Sequence, residues 1–536
     1  MAQPAQSFVD GHVEKIAPLV RALNLAAWDL SLTGDEECAK KKADLDAALT
    51  KLYADRAEFR ALETWRREGV PDPVLSRQVD LLYRAYLANQ KDEPTIEKMV
   101  RLESEVEKVY YTHRGVFEGN PTPDNELRTV LVEETDSGRR RAAWQASKQV
   151  GPKVRESVLE LVRLRNDVAR SVGFPDHYHM ALELQELDEA GLLQVLGELE
   201  ERTREPFAAA KATLDGFLAR RFGVPVDDLR PWHYGDFFFQ DAPADEAVDL
   251  DPLFVEKDLV AIALRTYDRL GLEARDIIGR SDLYAKPGKS QHAFCTCIDR
   301  GQDIRTLCNL RPDERWMSTL LHELGHAVYD KYLEPGLPYL LREPAHALTT
   351  EAVAMIMGRL TKDEYWLRAV AELDAGRIGK MLPHIREYTS LAMLVFVRWC
   401  LVMTHFERDL YRNPQQDLNK LWWDHVERFQ MLTRPEGRDE PDWAAKIHLA
   451  LAPVYYHNYV LGEMVASQLH RYIVDNVDAR GVAGGAAVGE FLKERLFSLG
   501  ARYPWDETLE RATGERLSPR YFAEQFVREV LAQHHS

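Results

Sequence analysis

Five residues in the second half of the chain, His322-Glu323-Leu324-Gly325-His326, set two imidazoles and a carboxylate at a spacing that suits metal chemistry. On a helix, positions i and i+4 share a face about 6 Å apart, so both imidazoles reach one Zn²⁺. Glu323 projects about 100° round the helix from His322, beside the metal rather than onto it, which suits a base acting on water. Glu351, 25 residues beyond His326 in the run Thr350-Glu351-Ala352-Val353-Ala354, offers a third ligand. Two histidines and one glutamate leave a fourth position open, as catalytic rather than structural zinc sites do. The other common arrangement, a third histidine six residues after the second, is absent because positions 329 and 332 are both tyrosine. The expectation is one Zn²⁺ on His322, His326 and Glu351, a site of the gluzincin kind, with Glu323 as the base in hydrolysis of a peptide.

A second cluster has the groups that such chemistry would still need. Negative charge gathers on the carbonyl oxygen in the transition state, so hydrogen-bond donors must be waiting for it. The segment Trp443 to Glu463 holds Lys446, His448, Tyr455, Tyr456, His457 and Tyr459. Tyr456 and Tyr459 are three apart, so on a helix both hydroxyls face one side. Tyrosines at that spacing also suit a core with a hydrogen-bonded rim, and both readings stand at this point.

The elements that position these groups read as helical. Apolar residues recur at three- and four-residue steps through 36–68, 75–112, 139–171, 189–222, 252–272, 363–411 and 455–476. Stops fall at Gly69-Val70-Pro71, Gly119-Asn120-Pro121, Gly223-Val224-Pro225 and Glu334-Pro335-Gly336. Residues 313–333 form the metal-bearing helix, and a second helix starts near Ala345 to bring Glu351 against it. One stretch differs. Phe294 to Ile298 and Ile304 to Leu310 are β-prone runs joined by Asp299-Arg300-Gly301-Gln302-Asp303, which predicts a small hairpin just before the metal helix. The fold class is therefore mainly α, with no solenoid repeat, no linker dividing 1–536, and two lobes about a deep central cleft.

Composition narrows the partners. The 536 residues are 45% hydrophobic, and 69 Lys and Arg stand against 87 Asp and Glu, a net charge of −18. That balance argues against nucleic acid and anionic membrane. The first residues lack the basic start and apolar core of a signal peptide, and no run approaches the ~20 apolar residues of a membrane helix. The five cysteines, Cys38, Cys295, Cys297, Cys308 and Cys400, form no disulfide framework and read as reduced thiols of a cytoplasmic protein. Cys295-x-Cys297 has no second Cys or His pair at finger spacing, which weakens a zinc role for it.

His322–His326, Leu341-Arg342-Glu343 and Glu351-Ala352 together resemble the angiotensin-converting enzyme family of zinc dipeptidyl carboxypeptidases, within a class that includes the thimet-type oligopeptidases. Gln291-His292-Ala293 looks like the family's substrate-binding strand, and Gly235 to Gln240 like its carboxylate-binding segment. Lys446-Ile447-His448 and Tyr456-His457-Asn458-Tyr459 are similar to its Lys-x-His and Tyr-x-x-Tyr elements. The resemblance is strong over about 232–470, the expected catalytic core, and faint over the N-terminal helices, where Phe8 to Asp35 is merely compatible. It implies that Gln240, Lys446 and Tyr456, with Tyr455 an alternative to Tyr456, hold a terminal carboxylate. It gives His448 and Tyr459 to the oxyanion, and His292 and the Ala293 backbone to the substrate's main chain. Two departures stand out: the family's second carboxylate, four residues after the ligand Glu, is Met355 here, and its chloride-binding Arg corresponds to Asn458, or to His457 on a shifted register. The activity expected is release of C-terminal dipeptides from short peptides. The alternatives are an endo-oligopeptidase, a carboxypeptidase removing single residues, or a non-catalytic peptide-binding protein. Oligomeric state is left open.

Overall fold

The computed structural model describes residues 2–243 and 248–527. They are mainly α-helical, and the strands among them form two small antiparallel hairpins. The chain folds as two compact units, each assembled from separate stretches. The first comprises Met1–Gln90, Asp249–Leu382 and Gly462–Tyr521; the second comprises Lys91–Val248, Pro383–Leu461 and Phe522–Ser536. The metal motif lies in the first and the Lys446–Tyr459 cluster in the second.

Aspartates decide where many helices begin. Asp35, Asp55, Asp72, Asp92, Asp136, Asp188, Asp313 and Asp363 each accept a backbone N–H of the first turn that would otherwise lack a partner. The same chemistry breaks runs whose apolar periodicity reads as continuous. The 36–68 stretch is two helices, Glu36–Tyr53 and Arg56–Glu68, because Asp55 caps the second. The 75–112 stretch likewise divides before Asp92. The 139–171 stretch divides at Gln149, where Pro152 has no N–H to continue the ladder.

In the first unit, helix Ala2–Thr33 packs on the predicted hairpin. Its Trp28 joins Ile298 and Leu307 in a buried cluster and meets Phe294 edge-on with ring centroids 6.0 Å apart. The hairpin, β3 (Phe294–Cys297) with β4 (Ile304–Leu307), pairs Cys295 with Thr306 and turns through Arg300 at φ +52°. The other hairpin belongs to the second unit: β1 (Gly115–Phe117) and β2 (Asn120–Thr122) turn on Glu118 and Gly119, both with positive φ. The Gly119-Asn120-Pro121 punctuation, which reads as a helix stop, ends that turn and starts β2.

Helix Ala375–Arg412 corrects one composition reading. It is long and apolar enough to span a membrane by those measures alone, yet 67% of its apolar window is buried within the protein, as in a core helix.

Candidate zinc site and the supporting cluster

The helix Glu314–Lys331, referred to below as the metal helix, starts on the Asp313 cap and buries Met317, Leu320, Leu321, Leu324 and Val328. That burial fixes its rotation, leaving His322 and His326 on a half-buried face. A second helix, Ala347–Gly358, crosses it very closely. A Cβ placed on Gly325 would lie 2.8 Å from the Ala354 Cα, so only glycine fits at the crossing. Ser318 Oγ donates to the Gly358 carbonyl at 3.0 Å and locks the far end of the contact. The Gly inside the motif thus lets the second helix come near enough for Glu351 to join the two histidines.

The ligand atoms make a triangle. His322 Nε2 and His326 Nε2 are 3.3 Å apart, and the Glu351 carboxylate oxygens lie 3.6 and 3.7 Å from them. Ligands held about 2.0–2.1 Å from one tetrahedral ion are about 3.3–3.4 Å from each other, so these edges fit Zn²⁺. Nothing else among the described residues brings three His, Cys, Asp or Glu groups together so tightly. The tautomers agree: His322 is hydrogen-bonded to the Ala354 carbonyl, and His326 Nδ1 meets Thr350 Oγ1 at 2.7 Å. With each ring donating its proton in these contacts, both Nε2 atoms are acceptors directed at one spot. Burial pushes His322 down to about 4, and burial followed by His322 pushes His326 down to about 3, so both are neutral and ready to ligate at neutral pH.

Orientation of the imidazoles therefore does not rest on position 355. Met355 turns its sulfur toward Gly462 instead. Thr350 and the Ala354 carbonyl take over the role, and neither is a residue the motif points to.

Glu323 is 8% exposed and accepts a hydrogen bond from the backbone N–H of Cys295. Burial, then the Glu351 carboxylate, push its carboxyl up to about 8 as set by the protein groups alone. It lines a 420 Å³ cavity with His322, His326, Glu351, Ala293 and Cys295. Ala293 lies in the same cavity as the metal group, whereas His292 is exposed and does not line it. The Cys295 N–H points away from β4 to Glu323, so alternate residues of β3 turn their backbone groups to the outer edge of the hairpin. Asn24 Nδ2 closes that edge at Cys297 by donating to its carbonyl at 3.1 Å.

In the second unit Lys446 Nζ donates to Gln240 Oε1 at 2.6 Å and sits 5.5 Å from the Tyr456 ring. Tyr456 OH accepts from Trp399 Nε1 at 2.9 Å, which leaves its own proton to donate. The His448 ring lies tilted 5.0 Å from that of Tyr456 and edge-on 6.5 Å from that of Tyr459. All five expected residues are therefore brought together, and Tyr456 stands at Lys446, while Tyr455 packs against Tyr459 at 5.3 Å. Burial pushes Lys446 down to about 8 against the pull of Asp236 and Asp241, and pushes His448 down to about 4. Gln240 and Lys446 line a 550 Å³ cavity with Arg128, Phe237 and Phe238.

The supports of this cluster are scattered in sequence. Asp236 Oδ1 accepts from the backbone N–H groups of Phe238 and Gln240, and Gln430 donates to the carbonyls of Phe238 and Phe239. Between His448 and Tyr456, Val454 is left-handed (φ +53°), an uncommon state for a β-branched residue. Glu407 accepts its N–H at 2.7 Å and Gln185 donates to its carbonyl at 3.0 Å. Asn458 Nδ2 donates to the same Gln185 at 2.5 Å, so an amide pair occupies the place of the Arg expected from the resemblance.

The sequence profile of the angiotensin-converting enzyme family matches residues 1–203 and 283–526. The chain belongs to the angiotensin-converting enzyme family. An angiotensin-converting enzyme of Haematobia irritans exigua is 26% identical over 250 residues, which is 42% of this chain and 39% of that protein. The chain therefore aligns with about two fifths of the curated relative's length. The family is one of zinc metallopeptidases, and the His322–His326–Glu351 triangle is the group that fits its metal. The match also revises the extent of the likeness. It runs through the N-terminal helices, where residues alone show little, and passes over 204–282, which contains Gln240.

Proposed function

We propose that this protein is a zinc-dependent peptidase that releases C-terminal dipeptides from short peptides. The observation that carries the hydrolytic reading is the ligand triangle, with edges of 3.3, 3.6 and 3.7 Å and Glu323 beside it in the same cavity. Bound Zn²⁺ supplies polarisation of the scissile carbonyl and acidification of water. Glu323 takes the proton of the attacking water and delivers it to the leaving amine. His448 and Tyr459 donate to the developing oxyanion. The Ala293 backbone, with His292, pairs with an extended substrate at the start of β3. Gln240, Lys446 and Tyr456 hold the terminal carboxylate, which sets the cut two residues from the end.

Support for that last role is the hydrogen-bonded Lys446–Gln240 pair with Tyr456 against it. An endo-oligopeptidase is the second reading, favoured because the family match leaves out the segment bearing Gln240. The net charge of −18 supports peptides rather than nucleic acid or anionic membrane as partners, and five unpaired cysteines support a cytoplasmic location. The test is mass spectrometry of products from peptides with free and amidated C-termini. Loss of a charge-assisted carboxylate contact should slow the amides by about ten- to a hundred-fold, with dipeptides released from the free acids. Equal rates, or internal cuts, favour the oligopeptidase; single-residue release identifies a carboxypeptidase. Purified protein without zinc points to a peptide-binding role.

A further inference from the structure

Asp330 lies one helical turn beyond His326 on the metal helix, on the same face, and plays no part in the mechanism above. It lines the metal-site cavity and also a neighbouring 360 Å³ cavity, which share Cys295, Pro344 and Thr350. The two form one groove along β3 that leads away from the zinc ligands. Enough protein surrounds the Asp330 carboxyl to push it up to about 7, and Glu343 adds to the push. No hydrogen bond or ion pair reaches that carboxylate from the described residues. Its neighbours Cys295 and Cys297 are thiols with no positive charge to offer.

The arginines that line the second cavity make their contacts with other groups than Asp330, and Arg300 Nε is left without a hydrogen-bond partner. Arg300 pairs with Glu343 at 2.6 Å and stacks 4.9 Å over the Tyr339 ring. Arg342 Nε donates to the Leu337 carbonyl at 2.7 Å. A half-buried acid that lacks a cation and opens onto a substrate groove is a recognition element of one sign.

We infer that Asp330 selects peptides bearing a cationic group, a Lys or Arg side chain or a free α-ammonium, one or two residues on the amino-terminal side of the cut. The side follows from the reading above, in which only two residues lie beyond the cut, so a groove that continues past the metal group takes the amino-terminal part; the inference rests on that reading. The position follows from lengths. One helical turn is about 5.4 Å and an extended peptide advances about 3.3 Å per residue, so Asp330 stands opposite the first or second residue upstream of the metal. Asn24, by closing the strand edge at Cys297, ends main-chain pairing in the same region and leaves recognition there to side chains.

The test uses zinc-loaded wild-type protein and Asp330→Asn with peptides of one C-terminal dipeptide. Lys, or its neutral isostere norleucine, is placed one, two, three or four residues upstream of the cut, with N-termini free or acetylated. Wild type should favour Lys by about ten-fold or more in kcat/KM at the first or second position only, as one charge-assisted contact does. A Lys preference that persists in the acetylated set assigns the effect to the side chain, whereas a loss of rate on acetylation in Lys and norleucine peptides alike, absent from Asp330→Asn, assigns it to the ammonium. Asp330→Asn should erase the preference and leave norleucine peptides within about three-fold. The same ranking by calorimetry on Glu323→Gln measures binding without turnover. A charge preference there, with cuts away from the penultimate bond, rejects the dipeptidase reading and retains Asp330. An equal preference in Asp330→Asn, or one uniform over all four positions, overturns the inference.

Discussion

At the scale of residues, the site assigns separate work to neighbours. His322 and His326 are kept neutral by burial, and their Nδ1 partners aim both Nε2 atoms at one point. Thr350 is the partner that spacing alone would not suggest. Thr350→Val should weaken zinc about ten- to a hundred-fold in competition with a chelator, the usual cost of losing a group that orients a ligand. Glu323→Gln keeps the shape but not the basicity. It should retain one zinc per chain by metal analysis and lose about 10²- to 10⁴-fold in kcat. Unchanged turnover would reject Glu323 as the base.

At the scale of elements, the close crossing of two helices makes the metal group. Gly325→Ala puts a methyl where the Ala354 backbone already is, so the helices must separate. Zinc stoichiometry should fall, and urea denaturation should show a loss of about 1–3 kcal/mol. The loop before Tyr456 is pinned by a different device, the fully buried Glu407 under left-handed Val454. Burial pushes the Glu407 carboxyl up to about 8, against accepting from the Val454 N–H and the attraction of Arg165. Between the ordinary glutamate value of 4.5 and about 8, the folded state therefore binds a proton that the unfolded state does not. Its stabilisation is fully present below the lower value and is lost as pH rises through the upper one, at up to about 1.4 kcal/mol per pH unit. Glu407→Gln should flatten that slope in urea melts at pH 5, 6 and 7; an unaltered slope would show that Glu407 does not set it.

For the whole molecule, the charge of −18 attracts any cationic peptide, whichever end it presents. Such steering fades as the screening length drops from about 8 Å at 0.15 M salt to about 3 Å at 1 M, whereas a half-buried contact persists. Raising salt should thus lower kcat/KM for all Lys-bearing peptides alike, in wild type and Asp330→Asn. The positional preference of wild type should survive. Disappearance of both together would assign the preference to the overall field.

The sequence alone determined what depends on local spacing. The i, i+4 histidines, the adjacent glutamate, the β3–β4 hairpin and the helical class follow from periods of 3.6 and 2 that hold wherever such segments fold. It misjudged continuity, because a capping aspartate such as Asp55 ends one helix and starts another without disturbing the apolar pattern. It passed over the N-terminal helix, whose value lies in Trp28 and Asn24 meeting a hairpin some 270 residues away. Tertiary structure decided the rest for the same reason: contacts between distant segments have no period to read. Only the fold shows Thr350 replacing a carboxylate at position 355, Gly325 yielding to Ala354, and Asp330 facing the groove without a cation.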